Sequence, residues 1–425
     1  MAKLATAMKS GKERVLLVVL DMYEKKPHWS VEEMKTEMEE CVIACGGEMV
    51  SSMVVKINKP TARYLISDTK AQEIANAVST LGVDSVVFSY DLKGSQQRNL
   101  EECIQAKTID RTQLILDIFA RHATSKEGKL QVELAQLEYL SPRLVGKGTE
   151  LSRLGGGIGT LGPGETKLEM DRRRISDRIA KLKKDLKDIV RHRTVNRQKR
   201  KERGIPMVSL VGYTNAGKST LLNTLTDAGQ LTKDGLFTTL DSLSRQFILP
   251  NRQKMVISDT VGFMNELPHH LIEAFKATLE EIKEADLLLH VLDISHPHFR
   301  HLYEAVIQVL RDLDVLDKPI ITVLNKMDRM DKDVTVESFS GLYENSVCVS
   351  ALNGINIKQL LEKVENALSS LYREINVDIP LDRMDLINLA HEQGDVYSVK
   401  YYTDYINLRA SVPTCMIGKF EKSWK

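Results

Sequence analysis

Two glycines, a lysine and a serine at fixed spacing, Gly212-Tyr213-Thr214-Asn215-Ala216-Gly217-Lys218-Ser219, follow directly on the apolar run Met207-Val208-Ser209-Leu210-Val211. The pattern G-x-x-x-x-G-K-S behind a buried strand is a phosphate-binding loop. It commits this part of the chain to a strand–turn–helix unit of an α/β sheet. Gly212 and Gly217 let the backbone curl until its N–H groups point inward, and the helix opening near Lys218 adds its positive end. In that arrangement Lys218 reaches the β- and γ-phosphates and the Ser219 hydroxyl ligates Mg2+, with Thr220 closing the nucleotide-contacting stretch.

A second motif, Asn325-Lys326-Met327-Asp328, follows the apolar run Pro319 to Leu324. Guanine presents two adjacent donors, N1–H and the exocyclic amine, and the Asp328 carboxylate can accept both. Asn325 braces the loop and Lys326 lies over the base. Adenine would leave that carboxylate unpaired, which a hydrogen-bonding site rejects strongly. Between the two motifs stands Asp259-Thr260-Val261-Gly262-Phe263. Asp259 is expected to hold Mg2+ through a water, and the Gly262 N–H to sense the γ-phosphate. Upstream, Phe237-Thr238-Thr239-Leu240-Asp241 offers two threonines, of which Thr239 is the expected Mg2+ ligand. Ser350-Ala351-Leu352 ends a further apolar run and covers the far side of the base. Five elements in this order are those of a translation-factor-type GTPase taking GTP or GDP.

At 425 residues the chain has length for two to four domains with their own cores. Its longest aliphatic run, Val15 to Leu20, is far too short to span a bilayer, and no export signal is visible. The five cysteines are scattered, and Cys41 and Cys45 read as a reduced pair on one helix because no second pair completes a metal site. A cytoplasmic monomer without membrane contact is expected. The formal net charge of +1 hides an asymmetry: residues 166–203 carry sixteen Lys/Arg against six Asp/Glu. A local excess of +10 in one helical stretch points to nucleic acid.

Residues 12 to about 125 alternate strand-like and helix-like runs. Expected strands are Arg14–Leu20, Met49–Lys56 and Ser85–Tyr90. Expected helices lie near 30–44, opened by the capping box Ser30-x-x-Glu33, and near 69–81 and 111–122. No catalytic constellation is visible there. Leu130, Leu134 and Leu137 fall at helical spacing. After a break at Ser141-Pro142, Leu168, Ile175, Ile179, Leu182, Leu186 and Ile189 follow steps of three and four residues. These two stretches predict an antiparallel helical hairpin with a leucine seam. Arg172, Arg173, Arg178, Lys181, Lys184 and Arg191 fall largely outside that seam. Six glycines crowd the connecting loop, Gly155-Gly156-Gly157-Ile158-Gly159-Thr160-Leu161-Gly162-Pro163-Gly164. A glycine-dense backbone can thread close to RNA where side chains would clash. The fold class is thus α/β: a doubly wound parallel-sheet G domain (204–372), an N-terminal α/β domain (1–125), a basic helical hairpin (126–203) with its tip loop at 154–165, and a small C-terminal α/β domain (373–425). His296, His298 and His301 read as a helix start rather than a metal set.

With these motifs in view, the chain resembles the HflX family of GTPases over nearly its whole length. The resemblance is carried by Gln97 to Glu101, Asp110 to Phe119, Gly155 to Glu165, Lys167-Leu168-Glu169 and Asp171-Arg172-Arg173. It implies binding to the large ribosomal subunit and its rRNA, with the glycine loop reaching toward the peptidyl-transferase centre. It also implies GTP-dependent splitting or rescue of stalled or idle ribosomes. Leu161 stands where that family usually carries arginine, which points to an alternative: a specialised paralogue altering antibiotic occupancy at the same centre. A GTP switch for ribosome assembly or for a protein effector is a further alternative. Phe263 takes the position where many GTPases keep a water-orienting glutamine, so slow intrinsic turnover with ribosomal stimulation is expected. Asn215 matches the position that binds K+ in related GTPases lacking the glutamine, placing it with Lys218, Thr239 and Gly262 among the expected catalytic groups.

Overall fold

A computed structural model describes residues 12–22, 30–144, 163–226, 243–264, 276–330, 343 and 345–421. The segment Phe237 to Asp241 and the glycine run from Gly155 to Gly162, both singled out above, lie outside these residues. The chain divides into two compact units, one running to Asp185 and the other beginning at Leu186.

The first unit is built on a four-stranded, all-parallel sheet of order β2-β1-β3-β4, from β1 (Arg14–Met22), β2 (Glu48–Ile57), β3 (Ser85–Phe88) and β4 (Lys107–Ile109). The run Val15 to Leu20 is buried from end to end, as befits a central parallel strand covered on both faces. Helices α1 (Val31–Ala44), α2 (Asp68–Leu81), α3 (Gly94–Ile104), α4 (Arg111–His122) and α5 (Lys126–Leu140) complete the unit. Ser30 and Glu33 form the expected capping box on α1. The Asp110 carboxylate caps α4 by accepting from the Gln113 N–H at 2.8 Å, and it also accepts from the Tyr139 hydroxyl at 2.8 Å and Arg143 Nη2 at 2.9 Å. Arg111 pairs with Glu37 at 3.1 Å, both buried, and Thr112 Oγ1 donates to Asp91 at 2.6 Å. The polar motif around Asp110 therefore clamps helices onto the sheet. Burial pushes the Asp110 carboxyl up, against the pull of these donors.

Helix α6 (Pro163–Glu202) is a single run of 40 residues, about 60 Å at 1.5 Å per residue. It starts at Pro163, inside the stretch expected as loop, with proline in the first helical position where its missing N–H costs nothing. Its residues fall on both sides of the division at Asp185. In the first unit, Arg178 forms a two-pronged pair with Glu133 of α5, at 2.7 Å for both contacts, and Lys183 pairs with Glu138 at 2.8 Å. Of the expected seam, Leu182 is fully buried, while Ile175, Ile179, Leu186 and Ile189 are half-buried.

The second unit holds a six-stranded sheet of order β10-β9-β8-β5-β7-β6. Its strands are β5 (Met207–Gly212), β6 (Leu243–Ile248), β7 (Lys254–Asp259), β8 (Leu287–Asp293), β9 (Ile320–Asn325) and β10 (Ser346–Cys348); only the edge strand β6 runs antiparallel to its neighbour. Around it lie α7 (Lys218–Thr226), α8 (Lys276–Glu284), α9 (Phe299–Asp312) and α10 (Ile357–Leu368). The second half of α6 docks on α8 through Arg193–Glu281 at 3.2 Å, Arg197–Glu280 at 3.6 Å and Lys201–Glu284 at 2.7 Å. His298 sits at the cap position of α9, as the helix-start reading expected. A three-stranded antiparallel sheet ends the chain, with β11 (Tyr372–Pro380), β12 (Asp395–Tyr401) and β13 (Tyr405–Pro413) in the order β11-β13-β12. Helices α11 (Met384–Gln393) and α12 (Ile417–Glu421) pack against it. Among the described residues, no helix is long and apolar enough to cross a membrane.

Candidate functional site

Among the described residues, the second unit gathers the motifs at 212–219, 259–263, 325–328 and 350–352 at the C-terminal ends of its parallel strands, where open α/β sheets bind ligands. Strand β5 ends at Gly212, whose backbone passes so close to β8 that a Cβ would lie 2.3 Å from the Val291 carbonyl oxygen. At Gly217, φ is +93° and a Cβ would fall 2.2 Å from Asn325 Nδ2. Only glycine fits either place. Asn215, between them, holds a left-handed φ of 60° and is exposed.

Lys218 is buried, and its Nζ donates to the carbonyls of Gly212 at 3.1 Å and Tyr213 at 2.8 Å. Burial pulls its ammonium down to about 8, with Asp259 pulling it back up. The Ser219 hydroxyl donates to Asp259 Oδ2 at 2.6 Å, so the two expected metal-binding oxygens are already adjacent. Thr260 Oγ1 donates to the Leu210 carbonyl at 2.6 Å, which fixes the end of β7 against β5. Gly262 then passes Lys218, where a Cβ would stand 3.1 Å from Nζ and 2.9 Å from Cα and Cγ2 of Thr214.

On the base side, Asn325 joins separate motifs. Its Nδ2 donates to the Ala216 carbonyl at 2.9 Å, and its Oδ1 accepts from the Ala351 N–H at 3.0 Å. Lys326, at φ 64°, pairs with Asp293 at 2.7 Å. The Ser350 hydroxyl donates to Asp328, whose carboxylate is otherwise exposed. Ala351 is buried and Leu352 lies 71% exposed at the lip. The second unit thus holds a glycine-bent loop closed on a buried lysine, two adjacent oxygens of the kind a divalent cation takes, and an exposed carboxylate braced by a serine hydroxyl.

Sequence reasoning missed Asp293, the partner of Lys326. It ends β8 directly opposite Asn325 in the strand register, a relation invisible without the pairing. Thr224, whose hydroxyl donates to the Ala351 carbonyl at 2.6 Å, was missed for the same reason. On α6, Arg172, Arg173, Lys181, Lys184 and Arg191 are exposed, whereas Arg178 is engaged by Glu133.

Three family models match in sequence. They are described as GTP-binding GTPase N-terminal (residues 32–120), GTP-binding GTPase Middle Region (122–200) and 50S ribosome-binding GTPase (207–326). Among curated relatives, GTPase HflX of Caldanaerobacter subterraneus subsp. tengcongensis is 43% identical over 406 residues, covering 96% of this chain and 92% of that one. GTPase HflX of Escherichia coli is 41% identical over 372 residues, covering 87% and 86%. A GTP-binding protein from the archaeon Sulfolobus solfataricus, solved with GDP, is 26% identical over 84% of this chain and 99% of that one, with a TM-score of 0.43.

Proposed function

The chain belongs to the HflX family of GTPases, and from that premise we propose that it binds the large ribosomal subunit and uses GTP to split or rescue stalled or idle ribosomes. That it is a GTPase follows from the family. The observation that carries the site assignment is Asn325, which ties the phosphate loop to the base-reading and base-covering loops through Ala216 and Ala351.

In this reading the loop from Gly212 to Thr220 cradles the phosphates and Lys218 neutralises them. Asp328 reads guanine, with Met327 and Leu352 beside it. Ser219 and Asp259 suit Mg2+, a hard cation that takes oxygen ligands, and Thr239 is the proposed third ligand. The ion would neutralise charge on the β- and γ-phosphates. Asn215, exposed on the loop, is the proposed K+ ligand. Phe263 offers no group to orient water, which favours slow intrinsic turnover and stimulation by the ribosome.

The exposed basic residues of α6, Arg172, Arg173, Lys181, Lys184 and Arg191, are proposed phosphate contacts to rRNA. The glycine run from Gly155 to Gly164 is proposed to reach toward the peptidyl-transferase centre. The proposal treats 1–125, 126–203, 204–372 and 373–425 as the working segments. Leu161 supports a second reading, a paralogue that alters antibiotic occupancy at that centre.

Light scattering of whole ribosomes with GTP tests the proposal. A variant shortened between Gly155 and Gly164 should keep its GDP affinity and lose splitting, while salt-sensitive binding through α6 persists. Splitting at the wild-type rate by that variant would remove the glycine run from the mechanism. Absence of splitting by the wild type would remove the proposed function.

A further inference from the structure

Thr214 occupies the third position of the phosphate loop and is 6% exposed. Its backbone N–H donates to the Phe263 carbonyl at 2.8 Å, so the residue is held against the segment that follows β7. Its Cα and Cγ2 face Gly262, each 2.9 Å from where a Cβ would stand, and the Lys218 ammonium lies on the same side of Gly262. Of the neighbouring polar groups, Lys218 has two carbonyls, Ser219 has Asp259, and Thr260 has Leu210, while the ring nitrogens of buried His290 make no hydrogen bond but stack on Tyr303. Among the hydroxyls of Ser219, Thr260 and Thr214, that of Thr214 is different. Oγ1 is buried and makes no hydrogen bond.

Buried hydroxyls are paired in most proteins, and one left alone calls for an explanation in ligand or catalysis. A valine would pack as well without leaving a polar atom unpaired. The neighbouring side chain on the opposite segment, Phe263, is apolar and buried, so it cannot meet a water at the γ-phosphate. Rotation about χ1 moves between staggered wells and can bring Oγ1 to the place Cγ2 now holds against Gly262, with no backbone movement.

We propose that the Thr214 hydroxyl positions the attacking water in GTP hydrolysis, in the role that glutamine plays in other GTPases. Oγ1 accepts a hydrogen bond from the water, and its own O–H donates a hydrogen bond to a γ-phosphoryl oxygen. The water oxygen bonds to phosphorus as the bond from phosphorus to the β,γ-bridging oxygen breaks. GDP leaves with the bridging oxygen, the proton released by the water passes to an oxygen of the inorganic phosphate formed, and threonine neither gains nor loses one. This role rests on the loop being the GTP phosphate site and is independent of what stimulates turnover.

The test compares Thr214→Val, which keeps shape and loses the hydroxyl, with Thr214→Ser, which keeps the hydroxyl and loses the methyl. GDP affinity and single-turnover hydrolysis are measured for the full chain, with and without large ribosomal subunits. Thr214→Val should bind GDP within about twofold of wild type yet hydrolyse GTP up to about a hundredfold more slowly, the scale of a misplaced reacting group. Thr214→Ser should recover most of that rate. Equal hydrolysis by Thr214→Val and wild type overturns the proposal, and so does an equal loss in Val and Ser, which would assign the effect to packing of the methyl. Loss of GDP binding in Thr214→Val would make the residue part of the loop's architecture and also overturns it. Should subunits fail to stimulate the wild type, the ribosomal reading falls, while the unstimulated rates still decide the role of Thr214.

Discussion

The Phe263 N–H donates to the Gly212 carbonyl at 3.0 Å, bridging the segment after β7 to the start of the phosphate loop. The bridge turns the phenyl ring inward, where it is 2% exposed. The residue beside Gly262, the proposed γ-phosphate sensor, is thus a structural anchor. Truncation by Phe263→Ala should lower stability by about 3–5 kcal/mol, the usual range for a buried ring. Chemical denaturation with and without GDP measures this, and a loss under 1 kcal/mol would mean that the ring anchors nothing.

Asn325 and Asp328 should fail differently. Asn325→Ala deprives the Ala216 carbonyl and the Ala351 N–H of their partner, so GDP and GTP affinities should fall together, by about tenfold or more. Asp328→Asn places an NH2 against the donors of guanine. Affinity should move from guanine toward xanthine nucleotides, whose C2 oxygen accepts. Competition binding reads both outcomes, and an unchanged preference for GTP in Asp328→Asn would remove that residue as base reader.

With Lys218 in the proposed phosphate site, nucleotide binding should be proton-linked. Burial pulls Lys218 down to about 8, from its ordinary 10.5, against the pull of the Asp259 carboxylate. Charged phosphates favour the ammonium, so binding raises its pKa. At pH 6.5 the lysine is already protonated and binding should take up almost no proton from this group. At pH 8 about half a proton should be taken up per GDP bound. The sign for folding is the reverse of a stabilising pair: the buried charge weakens the free protein below pH 8, and that penalty is relieved as pH rises from 8 toward 10.5. Calorimetry in two buffers of different ionisation enthalpy measures the uptake. The same uptake at both pH values would contradict the linkage.

Replacing K+ by Na+ should slow hydrolysis by the wild type and matter less in Asn215→Ala. A cation beside the β,γ-bridging oxygen would offset the charge that develops there. A wild-type rate indifferent to the cation removes Asn215 from this role.

Much of the architecture was legible in residues that act locally. The capping box at Ser30 and Glu33 and the unbroken apolar run of β1 each declare themselves within a few neighbours. Strand β4, three residues long, offers too few positions for periodicity, and α3 opens on Gly94-Ser95 with few apolar residues, so neither was expected. Edge strand β6 alternates half-buried and exposed residues through polar Ser244, Arg245 and Gln246, which reads as loop until its pairing with β7 is known. Strand β11 crosses the boundary drawn near Tyr372 and is made a strand by β13, some thirty residues later.

By itself, the sequence determined the chemistry available: a loop that only glycines can bend, a lysine and serine at phosphate spacing, a carboxylate at the end of a strand, and a surplus of cations in one helical stretch. These are properties of residue type and short spacing, and they survive without knowledge of the fold. Tertiary structure alone decided which groups meet. It brought Asn325 to Ala216 across 109 positions, gave Lys326 to Asp293, took Arg178 out of the free basic face through Glu133, and left the Thr214 hydroxyl without a partner. The reason is that hydrogen bonds and ion pairs depend on distance and burial, and between distant residues both are set by how strands register and helices pack.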